Sequence, residues 1–370
     1  MSAELHSWAS EPLSDAVLRS LQRLRDLDGA VQVAVMPDIH LAREVCVGVV
    51  LATERWIYPA AIGGDIGCGV SAIPFDVPAS RVTADLLAPI QRLVPIRTRP
   101  AAVSVTLPQS LQDQPLSADV LEKHKRREGT LEFGTVGRGN HFLELSEDET
   151  GRLWALVHSG SRAMGPAIQH HHRARSTHQS RGLEAVVADS PEGRAYLSDL
   201  AWARRYASES RHLILSAVIA ILGQRLAATP QMEALIDCDH NHVRQERHGA
   251  RWLWVHRKGA LEAKEGQPAV IPGSMQAPTL RVVGRGCVLA LRSSSHGAGR
   301  RLSRAAARRR ISPQALQKQL GAVMIDRRKI VHLVDEAPSA YKDITAVMRA
   351  QRALTRTQGV LRPVLNHKGI

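Results

Sequence analysis

"RWLWVHRKGALEAKEGQPAVIPGSMQAPTLRVVGRGCVLAL", Arg251 to Leu291, decides the fold class. It contains three short apolar runs, "RWLWVHRKGA", "PAVIPGS" and "RVVGRGCVLAL", cut by glycine and proline turns. Runs of that length between turn residues read as strands. Upstream, "VQVAVMPDIH" alternates into a strand that ends at a proline and an acid. "VCVGVVLAT" and "YPAAIGGDIGCGVSAI" read as buried strands joined by tight loops. "GTVGRGNHFLELS", "RLWALVHSGS" and the late "LRPVLNHKG" add further strands. Helical spacing marks "DAVLRSLQRLRDL", "ASRVTADLLAPIQRLV", "SPQALQKQLGA" and "ITAVMRAQRALTR". The longest helix, "SPEGRAYLSDLAWARRYASESRHLILSAVIAIL", opens on a Ser-Pro-Glu cap. Residues 98–120 read as an irregular segment. Strands and helices mix without strict alternation, which predicts an α+β fold of mixed or antiparallel sheets packed with helices. A doubly wound parallel sheet does not fit. We expect one domain over 1–370, with a helical lead-in at 1–29 and a mainly helical insertion at 163–225.

The bulk numbers narrow the function. The chain has 370 residues, 44% of them hydrophobic, which is enough for a sizeable core. Aromatics are only 4%, so Leu, Val, Ile and Ala must fill it. The formal net charge is +14, which points to a polyanionic partner, most often nucleic acid. The four cysteines, Cys46, Cys68, Cys238 and Cys287, form no C-x-x-C pair. That pattern fits a reducing cytosol rather than a disulfide framework. The N-terminus lacks a basic region followed by an apolar one, so no signal peptide is expected. No run of about 18 apolar residues is present, so no membrane partner is expected either.

Chemistry concentrates in glycine-framed loops. In "GGDIGCGV", Asp65 and Cys68 lie three apart, where both side chains can converge on a cation. "GRGNHFLE" carries His141, "VHSGSR" carries His158 and "CDHNHVRQE" carries His240, each at a strand–loop boundary. Taken singly, each histidine reads as an ordinary polar residue. Together these five donors exceed one closed tetrahedral site. Two metals sharing a thiolate would use them all, and paired metals suit phosphoryl chemistry. The rival cluster in "QHHHRARSTHQS" (His170, His171, His172, His178) has no glycine frame or carboxylate, and reads as a solvated helix surface. "IPGSM" and "SHGAGR" are turns of the kind that cradle anions, the second around His296. Basic runs fall at 122–128, 204–211 and 300–310. The first two read as solvated helix faces. The third, with Arg304, Arg308, Arg309 and Arg310, adjoins His296 and could hold polynucleotide phosphates.

Ten blocks in order resemble the RtcB-type GTP-dependent RNA ligases. They are "MPDIH", "DIGCG", "GNHFLEL", "HSGSR", "HNHVRQE", "VHRKGA", "IPGSM", "SHGAGRRLSR", "AYKDI" and the terminal "KG", running from about residue 30 to the C-terminus. The resemblance implies that His296 is the nucleophile guanylylated by GTP and that Asp38 orients it. It implies two Mn2+ ions. Asp65 and His141 would serve one, His158 and His240 the other, with Cys68 bridging. It implies a guanylate pocket of Asn140, Glu144, Asn241, Pro272, Gly273, Ser274, Met275, Thr279, Gly297, Ala298, Gly299 and Lys368, with Glu144 and Lys368 reading the guanine edge. The implied reaction joins an RNA 2′,3′-cyclic phosphate or 3′-phosphate to a 5′-hydroxyl, in RNA repair or tRNA splicing. An archease-type activator comes with the resemblance as a partner. The chain departs from the family at "LAREVCVG" after "MPDIH", at "QAPT" after "IPGSM" and at Ser295 before the nucleophile. No departure removes a donor. Two other readings compete: a metal-dependent phosphodiesterase or nucleotidyltransferase acting on other phosphate ends, and a non-catalytic RNA-binding protein. The intact donor set argues against the second, because a decayed site loses ligands.

Overall fold

The computed structural model describes residues 2–99 and 105–369. Part of the segment expected to be irregular, 100–104, therefore lies outside the described residues. Two sheets organise the chain. The smaller has five strands in the order Glu4–Ser7, Ala30–His40, Val47–Thr53, Arg251–Lys258, Asn241–His248. The larger has seven, in the order Ile236–Asp239, Gly69–Pro78, Arg152–Ser159, Phe142–Glu147, Thr355–Lys368, Thr279–Gly284, Pro268–Ile271. Every pairing in the larger sheet is antiparallel. The smaller is mixed, because Glu4–Ser7 runs parallel to Ala30–His40. The fold is α+β, as the opening stretch predicts.

The 36-residue helix Pro191–Leu226 packs on the larger sheet. Its start follows the sequence signal: Ser190 Oγ accepts from the Gly193 amide, Pro191 follows and Glu192 sits in the first turn. Its C-terminal half buries Ile214, Leu215, Val218, Ile221 and Leu222 against Leu143, Leu153, Ala155 and Val157 of the sheet. Its N-terminal half packs Tyr196, Leu200, Trp202 and Tyr206 against Met164, Ile168 and Leu111.

Several local expectations need correction. The lead-in is not only helical, since Glu4–Ser7 joins the sheet before helix Asp15–Arg25. Between Met164–Arg173 and the long helix lies a hairpin, His178–Ser180 with Leu183–Val187, that pairs with Trp56–Ile57. Short strands that gain their stability from tertiary pairing leave a weak sequence pattern. The apolar run at 281–291 is half strand: Thr279–Gly284 ends and a 3-10 turn takes Val288–Ala290. The basic runs are not purely solvated. Lys125 is buried, donating to the Gln112 and Gln114 carbonyls, and Arg211 is buried on the sheet-facing side of the long helix. Of the rival histidines, His170 is exposed but two others are not solvated. His171 and His172 are buried, and His172 Nε2 lies 2.7 Å from the fully buried Asp199 carboxylate. Asp199 also accepts from the Ser117 amide and hydroxyl, so the cluster staples the segment around Ser117 to the long helix.

The topology creates one crowded edge. Cys68 precedes Gly69–Pro78, His141 precedes Phe142–Glu147, His158 is the penultimate residue of Arg152–Ser159 and Lys368 ends Thr355–Lys368. Register aligns them: Lys368 faces Phe142, Phe142 faces His158, and His158 faces Val70. His240 is the single residue between Ile236–Asp239 and Asn241–His248, so there the chain crosses from the larger sheet to the smaller. The smaller sheet brings Asn241 opposite Lys258 at that same crossing.

Candidate metal and nucleotide centre

The donors converge as two triads that share one thiol. Asp65, Cys68 and His141 form one group, and Cys68, His158 and His240 the other, with ligand atoms in each group within 4.8 Å of one another. Cys68 Sγ lies 3.2 Å from His141 Nε2 and 3.3 Å from His158 Nε2. His141 Nε2 is 2.9 Å from Asp65 Oδ2. His158 Nδ1 donates to the Asn140 carbonyl over 3.1 Å, which leaves its Nε2 lone pair directed at Cys68. The His158 and His240 rings stand edge to face at 5.2 Å. Burial, reinforced by Asp65, pushes the Cys68 thiol well above its ordinary range. Burial, reinforced by neighbouring histidines, holds His158 and His240 well below theirs. Neutral imidazoles are the form that ligates a cation. The thiol gives up its proton only to a cation that replaces it, and this buried donor set fits a pair of divalent transition-metal ions. Gly160 of "HSGSR" is required here, since a Cβ would sit 2.0 Å from Asp65 Oδ1.

His296 follows the short strand Ser293–Ser295 and leans on Asp38 of the smaller sheet. Its Nδ1 is 2.7 Å from Asp38 Oδ2, and its backbone N–H donates to the same oxygen over 3.2 Å. Asp38 is fully buried. The His296 ring lies 4.6 Å from that of His240, so the candidate nucleophile adjoins the donor cluster. The glycine frame does more than admit a ligand. Gly299 has φ +74°, and a Cβ there would meet the Asp38 carbonyl at 2.2 Å. Ala298 N–H donates to the Pro272 carbonyl at 3.0 Å, locking "SHGAG" onto "IPGSM".

Asp65, Cys68, His158, His240 and His296 face one cavity of about 740 Å³, with His141 and Asp38 buried behind its wall. Asn140, Glu144, Asn241, Pro272, Gly273, Ser274, Met275, Thr279, Gly297, Ala298, Gly299 and Lys368 line it. At one end, Glu144 accepts from Ser146 and from Asn366, each at 2.8 Å, and burial raises it to about 7. Lys368 Nζ sits 3.2 Å from Glu336 Oε2, and burial lowers its pKa. Asn241 is spent on structure: its amide donates to the Asp65 carbonyl and its oxygen accepts from the Gly259 N–H. Arg304 and Arg308 are not free arms. Arg304 pairs with Glu336 and Asp335, and Arg308 with Asp335 at 3.0 Å. Arg309 and Arg310 are exposed.

This geometry can be set against known proteins. The family model described as tRNA-splicing ligase RtcB matches residues 20–120 and 106–369. The chain belongs to the RtcB family. It is 35% identical to the RNA-splicing ligase RtcB of Escherichia coli strain K12, over 91% of this chain and 90% of that protein. It is 28% identical to the RNA-splicing ligase RtcB of Mycobacterium tuberculosis, covering 93% and 98% of the two chains. Against the tRNA-splicing ligase RtcB of Pyrobaculum aerophilum the identity is 27%, covering 89% and 85%. No helix among the described residues is long and apolar enough to cross a membrane.

The RtcB fold also brings residues to the cavity that sequence reasoning left without a role. His40, Lys258, Arg300, Glu336, Tyr341 and Asn366 line it. Burial lowers Lys258 to about 8 and His40 to about 4. Burial works to raise Glu336, but Lys368, Arg304, Tyr341 and Arg300 together hold it near 2. Lys258 and Tyr341 fall inside quoted blocks, "VHRKGA" and "AYKDI", so the signal was present. Glu336 and Asn366 fall outside every block, and only the fold reveals them.

Proposed function

We propose that the protein is an RNA ligase that joins RNA 2′,3′-cyclic phosphate or 3′-phosphate ends to 5′-hydroxyl ends, using GTP, Mn2+ and a covalent His296–GMP intermediate. One observation carries this reading: His296, backed by Asp38, opens into the same cavity as Asp65, Cys68, His158 and His240 of the two donor triads and the buried Glu144–Lys368 end. Asp38 Oδ2, 2.7 Å from His296 Nδ1, would keep the proton on that nitrogen and leave Nε2 as the lone-pair nitrogen. Nε2 attacks the α-phosphorus of GTP. The N–P bond forms, the α–β bridging bond breaks, and pyrophosphate departs. Asp38 stabilises the positive ring as it develops. Glu144 accepts from the guanine edge and Lys368 donates to it, a pairing that adenine cannot match.

Asp65, Cys68 and His141 would hold one ion, and Cys68, His158 and His240 the other. Such ions supply Lewis-acid polarisation of phosphoryl oxygens. Donor softness alone favours zinc at a thiolate site, so manganese rests on the family resemblance. A cyclic RNA end is first opened by water. The 3′-phosphate oxygen then takes GMP from His296, and the 5′-hydroxyl attacks the 3′-phosphorus with GMP as the leaving group. RNA repair or tRNA splicing in the cytoplasm is the setting, with an archease-type protein as the activating partner to test. Incubation with α-labelled GTP and Mn2+ should add one GMP to the wild-type chain and none to His296→Ala, read by intact mass. An adduct surviving in the variant removes His296 as nucleophile. Processing of phosphate ends by a wild-type enzyme that never carries GMP would mark a phosphodiesterase or another nucleotidyltransferase instead.

A further inference from the structure

Arg211 stands within the basic run 204–211, on the long helix, far in sequence from every candidate ligand. Its side chain is almost fully buried, and its guanidinium is spent on three segments at once. Nη1 donates to the Gly67 carbonyl at 2.9 Å and to the Ser159 carbonyl at 3.1 Å. Nε donates to Asp237 Oδ1 at 2.9 Å and Ser71 Oγ at 3.1 Å, and Nη2 lies 2.8 Å from the same Asp237 oxygen. Gly67 immediately precedes Cys68, Ser159 immediately follows His158, and Asp237 stands on the strand that leads into His240. Backbone bonds close the ring: His240 N–H donates to the Cys68 carbonyl, and Gly67 N–H to the Asn241 carbonyl, each at 2.8 Å.

We propose that Arg211 is a positioning residue that sets the spacing of Cys68, His158 and His240. A planar guanidinium offers five N–H donors in a fixed fork, so it can hold two carbonyls and a carboxylate at set distances. An ammonium cannot, because it is a single point on a flexible stem. Groups that orient metal ligands without touching the metal are commonly worth about 10–100-fold in metal affinity. The inference rests on the reading that these donors hold metal, and the experiment separates the two.

Full-length protein is titrated with Co2+, and thiolate-to-cobalt charge transfer and the visible d–d bands are followed. Melting temperature is measured in parallel. Ile221→Ala, a buried change on the same helix, serves as the stability control. Arg211→Lys should bind Co2+ about tenfold or more weakly, with shifted d–d bands. Ile221→Ala should lower the melting temperature yet keep the wild-type spectrum and affinity. If Arg211→Lys does not fold, Asp237→Asn takes its place. It keeps the arginine but weakens its anchor, and the same criteria apply. Wild-type affinity and spectrum in the tested variant would reduce Arg211 to a fastener of helix to sheet. So would a cobalt affinity that tracks melting temperature in both the variant and the control. A wild-type chain that binds no Co2+ overturns the metal reading itself.

Discussion

At the scale of single residues, the thiol shared by both triads is the first test. Cys68 is buried, and Sγ is within 3.3 Å of two imidazole nitrogens. Cys68→Ser replaces it with a hydroxyl that stays protonated where a metal-bound thiol ionises. Metal affinity should fall by more than the roughly 100-fold at the upper end of outer-shell effects, so that the purified variant carries less than two equivalents by elemental mass spectrometry. Retention of two equivalents would make Cys68 a core residue only. Glu144 gives a second test with a definite sign. Burial raises its carboxyl to about 7, so it is protonated in mildly acidic solution and ionised above. Only the ionised form can accept from the donors of guanine with both oxygens. GTP affinity should therefore fall about tenfold per pH unit below that value and level off above it. Glu144→Gln should flatten the profile and weaken the preference for GTP over ATP, both read by equilibrium titration.

At the scale of elements, the loop after His296 and the strand carrying Asp38 are locked together. Gly299 sits at positive φ against the Asp38 carbonyl. Gly299→Ala costs about 1–2 kcal/mol for the left-handed backbone alone, before its Cβ meets that oxygen. The shift it forces should separate His296 from Asp38. Misplacement by about an ångström can cost a hundredfold in rate, so guanylylation should slow on that order while GTP still binds. A wild-type rate would show that the loop yields without disturbing the pair. The same scale shows what sequence could and could not tell. "SPEGRAYL" announced its helix through a cap, and the strands of the crowded edge were legible from apolar runs between glycines. The five donors were legible because each lies in a short ordered block. The hairpin at His178–Val187 was not, because its strands are too short to carry a period. Arg211 was not, because a basic run on a helix does not say which side faces the sheet. Asp199 likewise looked ordinary until the fold put His172 and Ser117 beside it.

At the scale of the whole molecule, a net charge of +14 must be distributed over a surface that meets RNA. The helix Arg304–Arg310 begins at the cavity wall, where Arg304 is a lining residue, so its arginines are the natural first contacts, but they are not equivalent. Arg304 is drawn inward by the buried Asp335 and Glu336, whose partners also include Arg300 and Tyr341, while Arg308 stays exposed and caps Asp335 from the surface. Removing either cation leaves a buried carboxylate short of a partner, a loss that should appear in stability as well as in function. Arg309 and Arg310 are exposed, and changing them should leave the fold alone. Phosphate contacts release counterions, and each lost contact should lower the log–log salt slope of single-stranded RNA binding by roughly 0.7. The pair Arg309→Gln and Arg310→Gln should therefore weaken RNA binding and flatten its salt dependence by about 1.4, while melting temperature and guanylylation by GTP alone hold. Arg304→Gln should lower the melting temperature, because its charge sits in the Glu336 network rather than on the surface. An unchanged salt slope in the Arg309/Arg310 pair would move the RNA path to another basic face.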